Sequence, residues 1–316
     1  MTGTVYKSTG SWYMVKSPTG ELFKCRAKGR LRLSNFISTN PIAVGDHVDF
    51  ELEVKNDETT GVISHIHDRR NYIVRKSVNL SKQTHIIASN IDQALLIVTI
   101  NNPVTTTSFI DRFLVTAEAY HIHSVLLFNK IDTYDAEARA ESLLLQERYR
   151  KIGYSCLEIS AQNNINTDAV KAQMKGKVNM ISGHSGVGKS TLVNALETNL
   201  NLRTAAISDQ HQQGQHTTTF AEMFDLKFDA QIIDTPGIRG FGIVDMAPEE
   251  IGDYFPEILK LKQDCKFNNC LHKDEPKCAV KIGVECGDIA ESRYHSYLQI
   301  LEGDQGNYRI DIYPDF

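Results

Sequence analysis

The sequence has no long hydrophobic run. Its longest apolar stretch lies around Ala94 to Ile100, far short of the ~20 residues a membrane-spanning helix needs. The opening residues, MTGTVYKSTG, lack the apolar core of a secretory leader, and no internal repeat or low-complexity segment is evident. A cytoplasmic protein with no membrane contact is expected. Cysteine is also scarce: six in 316 residues are too few for a disulfide scaffold. Four of the six fall between Cys265 and Cys286, which points to metal, with zinc the first expectation.

What is present fits a chain that buries real cores. Hydrophobic residues make up 41% and charged residues 23%, and the length predicts two or three domains. The net charge of −5 is unevenly spread. Residues 1–76 hold 12 Lys or Arg against 8 Asp or Glu, or +4, which leaves 22 against 31, or −9, for the remaining 240. Within this basic front end Lys24, Arg26, Lys28, Arg30 and Arg32 fall at every second position. On an extended strand they project from one face as a stripe suited to phosphate backbones.

Residues 4–66 read as short strands broken by turns: TVYKS, WYMVKS, LFKCRA, VGDHVDFELEV and GVISHIH. Five such strands predict an N-terminal β-barrel of the OB-fold type. The segment DRRNYIVRKS, residues 68–77, reads as a basic linker. From Ile91 the pattern changes. Strands predicted at 93–100, 124–129, 155–160, 178–183, 219–226 and 230–235 alternate with helices at 108–121, 136–151, 167–175 and 189–198. That alternation predicts a mostly parallel sheet covered by helices on both faces. After Gly242 the pattern is helical, then Cys-rich, then helical again through Ile289 to Leu301. Units at 1–76, 77–242 and 243–316 follow.

Gly183, His184, Ser185, Gly186, Val187, Gly188, Lys189 and Ser190, followed by Thr191, match GxxxxGK[ST] between a predicted strand and a predicted helix. Glycines let the backbone N–H groups turn inward around phosphates, Lys189 reaches the β- and γ-phosphates, and Ser190 offers a hydroxyl to Mg²⁺. That motif does not separate ATP from GTP. Asn129, Lys130, Ile131 and Asp132 do, because a carboxylate at Asp132 can accept hydrogen bonds from N1–H and the 2-amino group of guanine, which adenine lacks. Asn129 is expected to meet the base edge and tie neighbouring loops, with the Lys130 stem against the ring. Ser160 and Ala161 end a strand where a main-chain N–H can back the guanine. Asp234 would reach Mg²⁺ through water and the Gly237 N–H the γ-phosphate. Gly214 to Thr219 lie in a polar loop suited to a switch; Thr217 and Thr218 are both candidates to close onto Mg²⁺, and Ser190 with Thr218 is the expected Mg²⁺ pair. Ile238 stands where many GTPases carry a water-orienting Gln, so His216 and Lys189 are the catalytic candidates.

The order is unusual. GTPases ordinarily run phosphate loop, switch threonine, DxxG, NKxD, Ser-Ala; here NKID and Ser160 precede the phosphate loop. Such a permutation leaves a pocket intact if the loops still meet in space. A general P-loop ATPase is disfavoured by NKID, whereas a nucleotide-gated RNA-binding protein with negligible turnover stays open as an alternative. Farther on, Cys265, Cys270, His272 and Cys278 supply three thiolates and an imidazole, a complete tetrahedral Zn²⁺ set. Cys286 is a spare; Cys25 and Cys156 read as isolated strand cysteines.

A basic barrel, NKID, Ser-Ala, GHSGVGKST, GQHTTT and DTPG in permuted order, then Cys-x4-Cys-x-His-x5-Cys, resembles the ribosome small-subunit-dependent GTPase A family (RsgA, also called YjeQ). The resemblance spans nearly the whole chain. It implies an OB-fold, a permuted GTPase domain and a zinc-binding module that together bind the small ribosomal subunit late in its assembly. It also implies slow GTP hydrolysis to GDP stimulated by that subunit, structural zinc on Cys265, Cys270, His272 and Cys278, Mg²⁺ with the nucleotide, and a monomer.

Overall fold

The computed structural model describes residues 1–29, 41–55, 58–76, 84–197, 221–234 and 246–303. Strands β1 (Thr2–Ser8), β2 (Tyr13–Lys16), β3 (Leu22–Ala27), β4 (His47–Lys55) and β5 (Glu58–Ile66) build the first unit. Alternate residues turn inward, so Val5, Val15, Cys25, Val48, Phe50 and Ile63 fill one interior. The order is β1–β2–β3–β5–β4, with β4 returning to β1 to close the barrel. β3 and β5 run parallel and the other pairs antiparallel. This is the expected OB-fold barrel.

A hairpin follows, β6 (Tyr72–Lys76) with β7 (Thr84–Ser89). The reading of 68–77 as a linker is corrected accordingly, and the predicted boundary at 76/77 lies between the hairpin's two strands. The physical reason sits at Asp46, a fully buried carboxylate. It accepts from Arg69 Nε and Nη2, both at 2.6 Å, from Ser89 Oγ at 2.6 Å and from the Ala43 N–H at 2.8 Å. Arg69 is thus an interior ion-pair partner that ties barrel to hairpin, not a solvated linker charge. Beside it Gly45 has φ +93°, and a Cβ there would lie 2.1 Å from the Ser89 carbonyl oxygen. Only glycine permits that approach.

The central sheet contains β8 (Gln93–Val98), β9 (His123–Phe128), β10 (Ser155–Glu158), β11 (Val178–Ser182), β12 (Glu222–Leu226) and β13 (Ala230–Asp234). Its order is β10–β9–β8–β11–β13–β12; the first five are parallel and β12 is antiparallel. Helices α1 (Thr107–Ala119), α2 (Ala136–Ile152), α3 (Thr167–Met174) and α4 (Lys189–Leu196) cover it. Every residue of β8 is buried because both faces are packed. Leu95 and Ile97 join Val125, Val170 and Leu192, while Leu96 and Val98 join Leu126, Ile110 and Leu114. At the far side β12 pairs with β1, Lys7 opposite Glu222, and their side chains form an ion pair at 2.7 Å. Barrel and central sheet are therefore one continuous eleven-stranded array.

The third unit is helical: α5 (Pro248–Ile251), α6 (Pro256–Lys262), α7 (Ala279–Glu285) and α8 (Glu291–Leu301). Its core of Phe255, Ile258, Val280, Ile289 and Tyr297 includes Val115 from α1. Arg293 of α8 is fully buried; it donates to Asp111 of α1 at 2.9 Å and to both oxygens of Glu257 at 2.6 and 3.1 Å. Asp111 also accepts from Tyr149 Oη at 2.7 Å and Ser296 Oγ at 2.6 Å. No helix among the described residues is long and apolar enough to cross a membrane.

Removing one member of a buried ionic network strands the others without compensation, at a cost of about 3–5 kcal/mol. Arg293→Ala is expected to lower unfolding free energy by that amount in denaturant titration, whereas Arg139→Ala, whose contact is an exposed 3.7 Å pair with Glu158, should cost less than about 1 kcal/mol. Equal costs would remove the network from the interdomain account.

Candidate nucleotide site and metal centre

Because β8, β9, β10, β11 and β13 are parallel, the loops after them gather at one end of the sheet, where open α/β sheets bind ligands. Residues 183–188 leave β11 and enter α4 at Lys189. Val187 is fully buried and pins the loop to the core, while Ser185 and Gly186 are exposed. Lys189 Nζ lies against the carbonyls of Gly183 and His184, at 2.7 and 2.6 Å; Ser190 and Thr191 begin the helix, half-buried.

Asn129 holds this loop to its neighbours. It is buried at the end of β9; Nδ2 donates to the Val187 carbonyl at 2.8 Å, and Oδ1 accepts from the Ala161 N–H at 3.0 Å. A Cβ at Gly188 would lie 2.4 Å from Asn129 Nδ2, so that glycine makes room for the clamp. The tie between loops that the sequence assigns to Asn129 is therefore present, and the Ala161 N–H is donated to it. Ser160 is buried and its Oγ accepts from the Asn163 N–H at 3.1 Å. Lys130 adopts a left-handed backbone, φ 67°, and donates to the Asn102 carbonyl at 2.5 Å. Asp132 follows in a short 3₁₀ turn, exposed to solvent.

Asp234 ends β13, next to β11. Burial and then the neighbouring Glu222 push its carboxyl above the ordinary range, a strain that a cation relieves. His184 is held below its usual value by burial and then by Lys189, a shift that favours the uncharged ring. Phe109 of α1 lies on it at 3.8 Å between centroids. Phe109, Asn102 and Tyr134, whose Oη donates to the Asn129 carbonyl at 2.7 Å, belong to no motif; nothing in their spacing announces them. Gly237, Ile238, His216, Thr217 and Thr218 lie outside the described residues, as do Arg30 and Arg32.

In the third unit the cluster is complete. Cys265, Cys270, His272 and Cys278 bring their ligand atoms within 4.8 Å of one another. Tetrahedral coordination with metal–sulfur bonds of about 2.3 Å and metal–nitrogen bonds of about 2.0 Å requires S···S near ~3.8 Å and S···N near ~3.6 Å. Observed separations are 3.8 Å for Cys265–Cys278 and Cys270–Cys278, and 3.6 and 3.4 Å from His272 Nδ1 to Cys265 and Cys278. The residues fit a four-coordinate ion. Burial pushes the Cys270 thiol up to about 12, and a cation is what reverses such a shift. Tyr294 and Tyr297 donate to the His272 and Leu271 carbonyls, both at 2.6 Å, fixing the ligand loop to α8. Cys286, the spare, is exposed and outside the cluster; Cys25 and Cys156 are buried and free.

NKID, Ser160, the phosphate loop and Asp234 meet at one end of the sheet although the chain reaches them in a rotated order. That rotation makes the protein a circularly permuted P-loop GTPase, joined to an OB barrel and a Cys₃His unit. A profile described as RsgA GTPase matches residues 66–244, and one described as RsgA N-terminal domain matches residues 2–63. Over 315 residues the chain is 66% identical to the small ribosomal subunit biogenesis GTPase RsgA of Flavobacterium johnsoniae, covering 100% of this chain and 97% of that protein. YjeQ from Thermotoga maritima superposes with TM-score 0.77 at 33% identity, covering 96% of this chain and 98% of its own. YloQ, described as a circularly permuted GTPase, gives 0.74 at 28% identity over 100% and 96%. The chain belongs to the RsgA GTPase family and is a GTP-hydrolysing enzyme.

Metal analysis is expected to find one ion per chain on the Cys₃His cluster. Cys270→Ser should lose it together with the thermal stability of the helical unit, and Cys286→Ser should keep both; retention of the ion by Cys270→Ser would contradict the ligand set.

Proposed function

We propose that the protein is a GTP hydrolase that binds the small ribosomal subunit and its rRNA and acts in late subunit maturation, with hydrolysis stimulated by the subunit. The observation that carries the nucleotide part is the Asn129 clamp, which fixes NKID against the phosphate loop at 2.8 Å and leaves the Asp132 carboxylate exposed beside it. Asp132 accepts from the guanine edge, and the Lys130 stem lies along the ring. The N–H groups of residues 183–191 take the phosphates with Lys189 at the β- and γ-positions. Mg²⁺, when bound, would neutralise charge developing on the phosphates; Ser190 and Thr218 would hold it, with Thr217 the alternative, and Asp234 would act through water. Gly237 meets the γ-phosphate, and His216 orients the attacking water that Ile238 cannot.

The subunit reading is supported by the name of the Flavobacterium relative and by the barrel surface. Lys24, Arg26 and Lys28 are exposed while Cys25 between them is buried, the alternation expected of a phosphate-facing stripe. Lys24 lies over the Trp12 ring at 4.5 Å, which adds an aromatic face of the kind that stacks bases. On this reading the chain works as a cytoplasmic monomer, with one structural Zn²⁺ in its C-terminal helical unit.

Asp132→Asn should weaken GTP binding at least about tenfold, since charge-assisted hydrogen bonds are lost, and shift preference toward xanthine nucleotides in competition assays; unchanged GTP affinity would sink the guanine assignment. Single-turnover hydrolysis should rise on adding small but not large subunits, and His216→Ala should lower the stimulated rate about 100-fold with little change in basal rate or GTP affinity. If isolated and subunit-bound protein turned over GTP equally fast, stimulation would have to be abandoned.

A further inference from the structure

On the outer face of the barrel, β4 and β5 pair with Asp49 opposite His65, and the His67 N–H donates to the His47 carbonyl at 2.9 Å. Side chains repeat faces every second residue along a strand. His47 and Asp49 on β4, with His65 on β5 and His67 one residue past its end, therefore form a two-by-two block facing outward, while Val48 turns to the core. Directly beyond the block the ladder slips between Asp49 and Phe50, a bulge of the kind that re-aims side chains. Asp49, His65 and His67 bring their ligand atoms within 4.8 Å of one another. His67 Nε2 lies 3.0 Å from Asp49 Oδ1, and the two imidazoles meet edge-on with centroids 5.1 Å apart. His47 is turned to Thr4, its Nδ1 3.1 Å from the hydroxyl.

We propose that Asp49, His65 and His67 form a second metal site, separate from the Cys₃His cluster, for a first-row divalent transition ion. Two imidazoles and one carboxylate are the donor set such ions take, and no hard-cation site would be built on imidazole. For nitrogen and oxygen at about 2.0–2.1 Å from an ion, neighbouring donors sit roughly 2.9–3.4 Å apart. The Asp49–His67 pair already has that separation, and His65, exposed and with its ligand atom within 4.8 Å of the other two, is the third donor of the set. The ring nitrogen that meets the ion arrives without its proton, which either moves to the other nitrogen or leaves to solvent. An ordinary surface His–Asp pair needs two residues. Here a third donor is held within reach by cross-strand register on a closed barrel, which spares the ion the ordering cost of assembling its ligands. With three protein donors on an exposed face, water completes the coordination and the ion exchanges, in contrast to the closed thiolate cluster.

The test uses untagged full-length Cys286→Ser protein with the Cys₃His cluster loaded, dialysed against graded Ni²⁺ with calorimetry in parallel. One additional Ni²⁺ per chain is expected. His65→Ala and His67→Ala should each weaken its uptake at least about tenfold, Asp49→Asn should do the same, and His123→Ala, an exposed histidine on β9, should not. Thermal unfolding of each variant checks that the barrel persists. Absence of a second ion in the parent protein, or equal uptake by the His65→Ala, His67→Ala double variant, overturns the site.

Discussion

The pocket depends on one buried side chain. Asn129 spends both ends of its amide on main-chain groups of two other loops, the Val187 carbonyl and the Ala161 N–H. In the interior neither partner has water to fall back on, so leaving one unpaired costs about 1–3 kcal/mol. Three loops far apart in sequence are thereby held in one geometry by a residue that belongs to the NKID motif itself. This is why the order of motifs along the chain is immaterial to the site. What is conserved under permutation is the sheet order and the cross-loop clamp, and both are independent of where the chain begins.

Helix α1 has a comparable role on a larger scale. Its first turn carries Phe109, packed at a tilt against His184 of the phosphate loop; one residue beyond Ile110, Asp111 receives Arg293 from the third unit; Val115 enters that unit's core. One rigid element is thus wall to both the nucleotide loop and the Cys₃His unit. The ionic network is fully satisfied: Asp111 has three donors, and Arg293 has two carboxylates and the face of Phe255 at 4.5 Å. Satisfaction on every side is what makes a buried charge tolerable and its docking geometry specific.

Much of this was legible beforehand, for physical reasons. Strand and helix positions follow from period-two and period-3.6 patterns, and the strands of barrel and central sheet fall close to where alternation puts them. The phosphate loop, NKID and the Cys₃His spacing carry chemistry that few other residue types can perform. The parts missed are those fixed by long-range contact. Arg69 looks like a solvated charge until Asp46 is found beside it, and with it the hairpin that a run of basic residues disguises. Helix α7, seven residues between cysteines, is too short for a period to declare itself. Phe109 and Tyr134 act on the pocket through packing alone, and the Asp49–His65–His67 block exists only because of strand register, which no single strand records.

The pairing of β1 with β12 has a further meaning. An antiparallel strand at the margin of a sheet presents a row of unpaired N–H and C=O groups, a template on which a second molecule can build. Here the margin of the hydrolase sheet is occupied by the barrel's own first strand, locked by the Lys7–Glu222 pair and by Tyr6 Oη donating to Asp225 at 2.8 Å. The barrel thus shields that edge of the hydrolase sheet from pairing with another molecule by supplying a strand of the same chain.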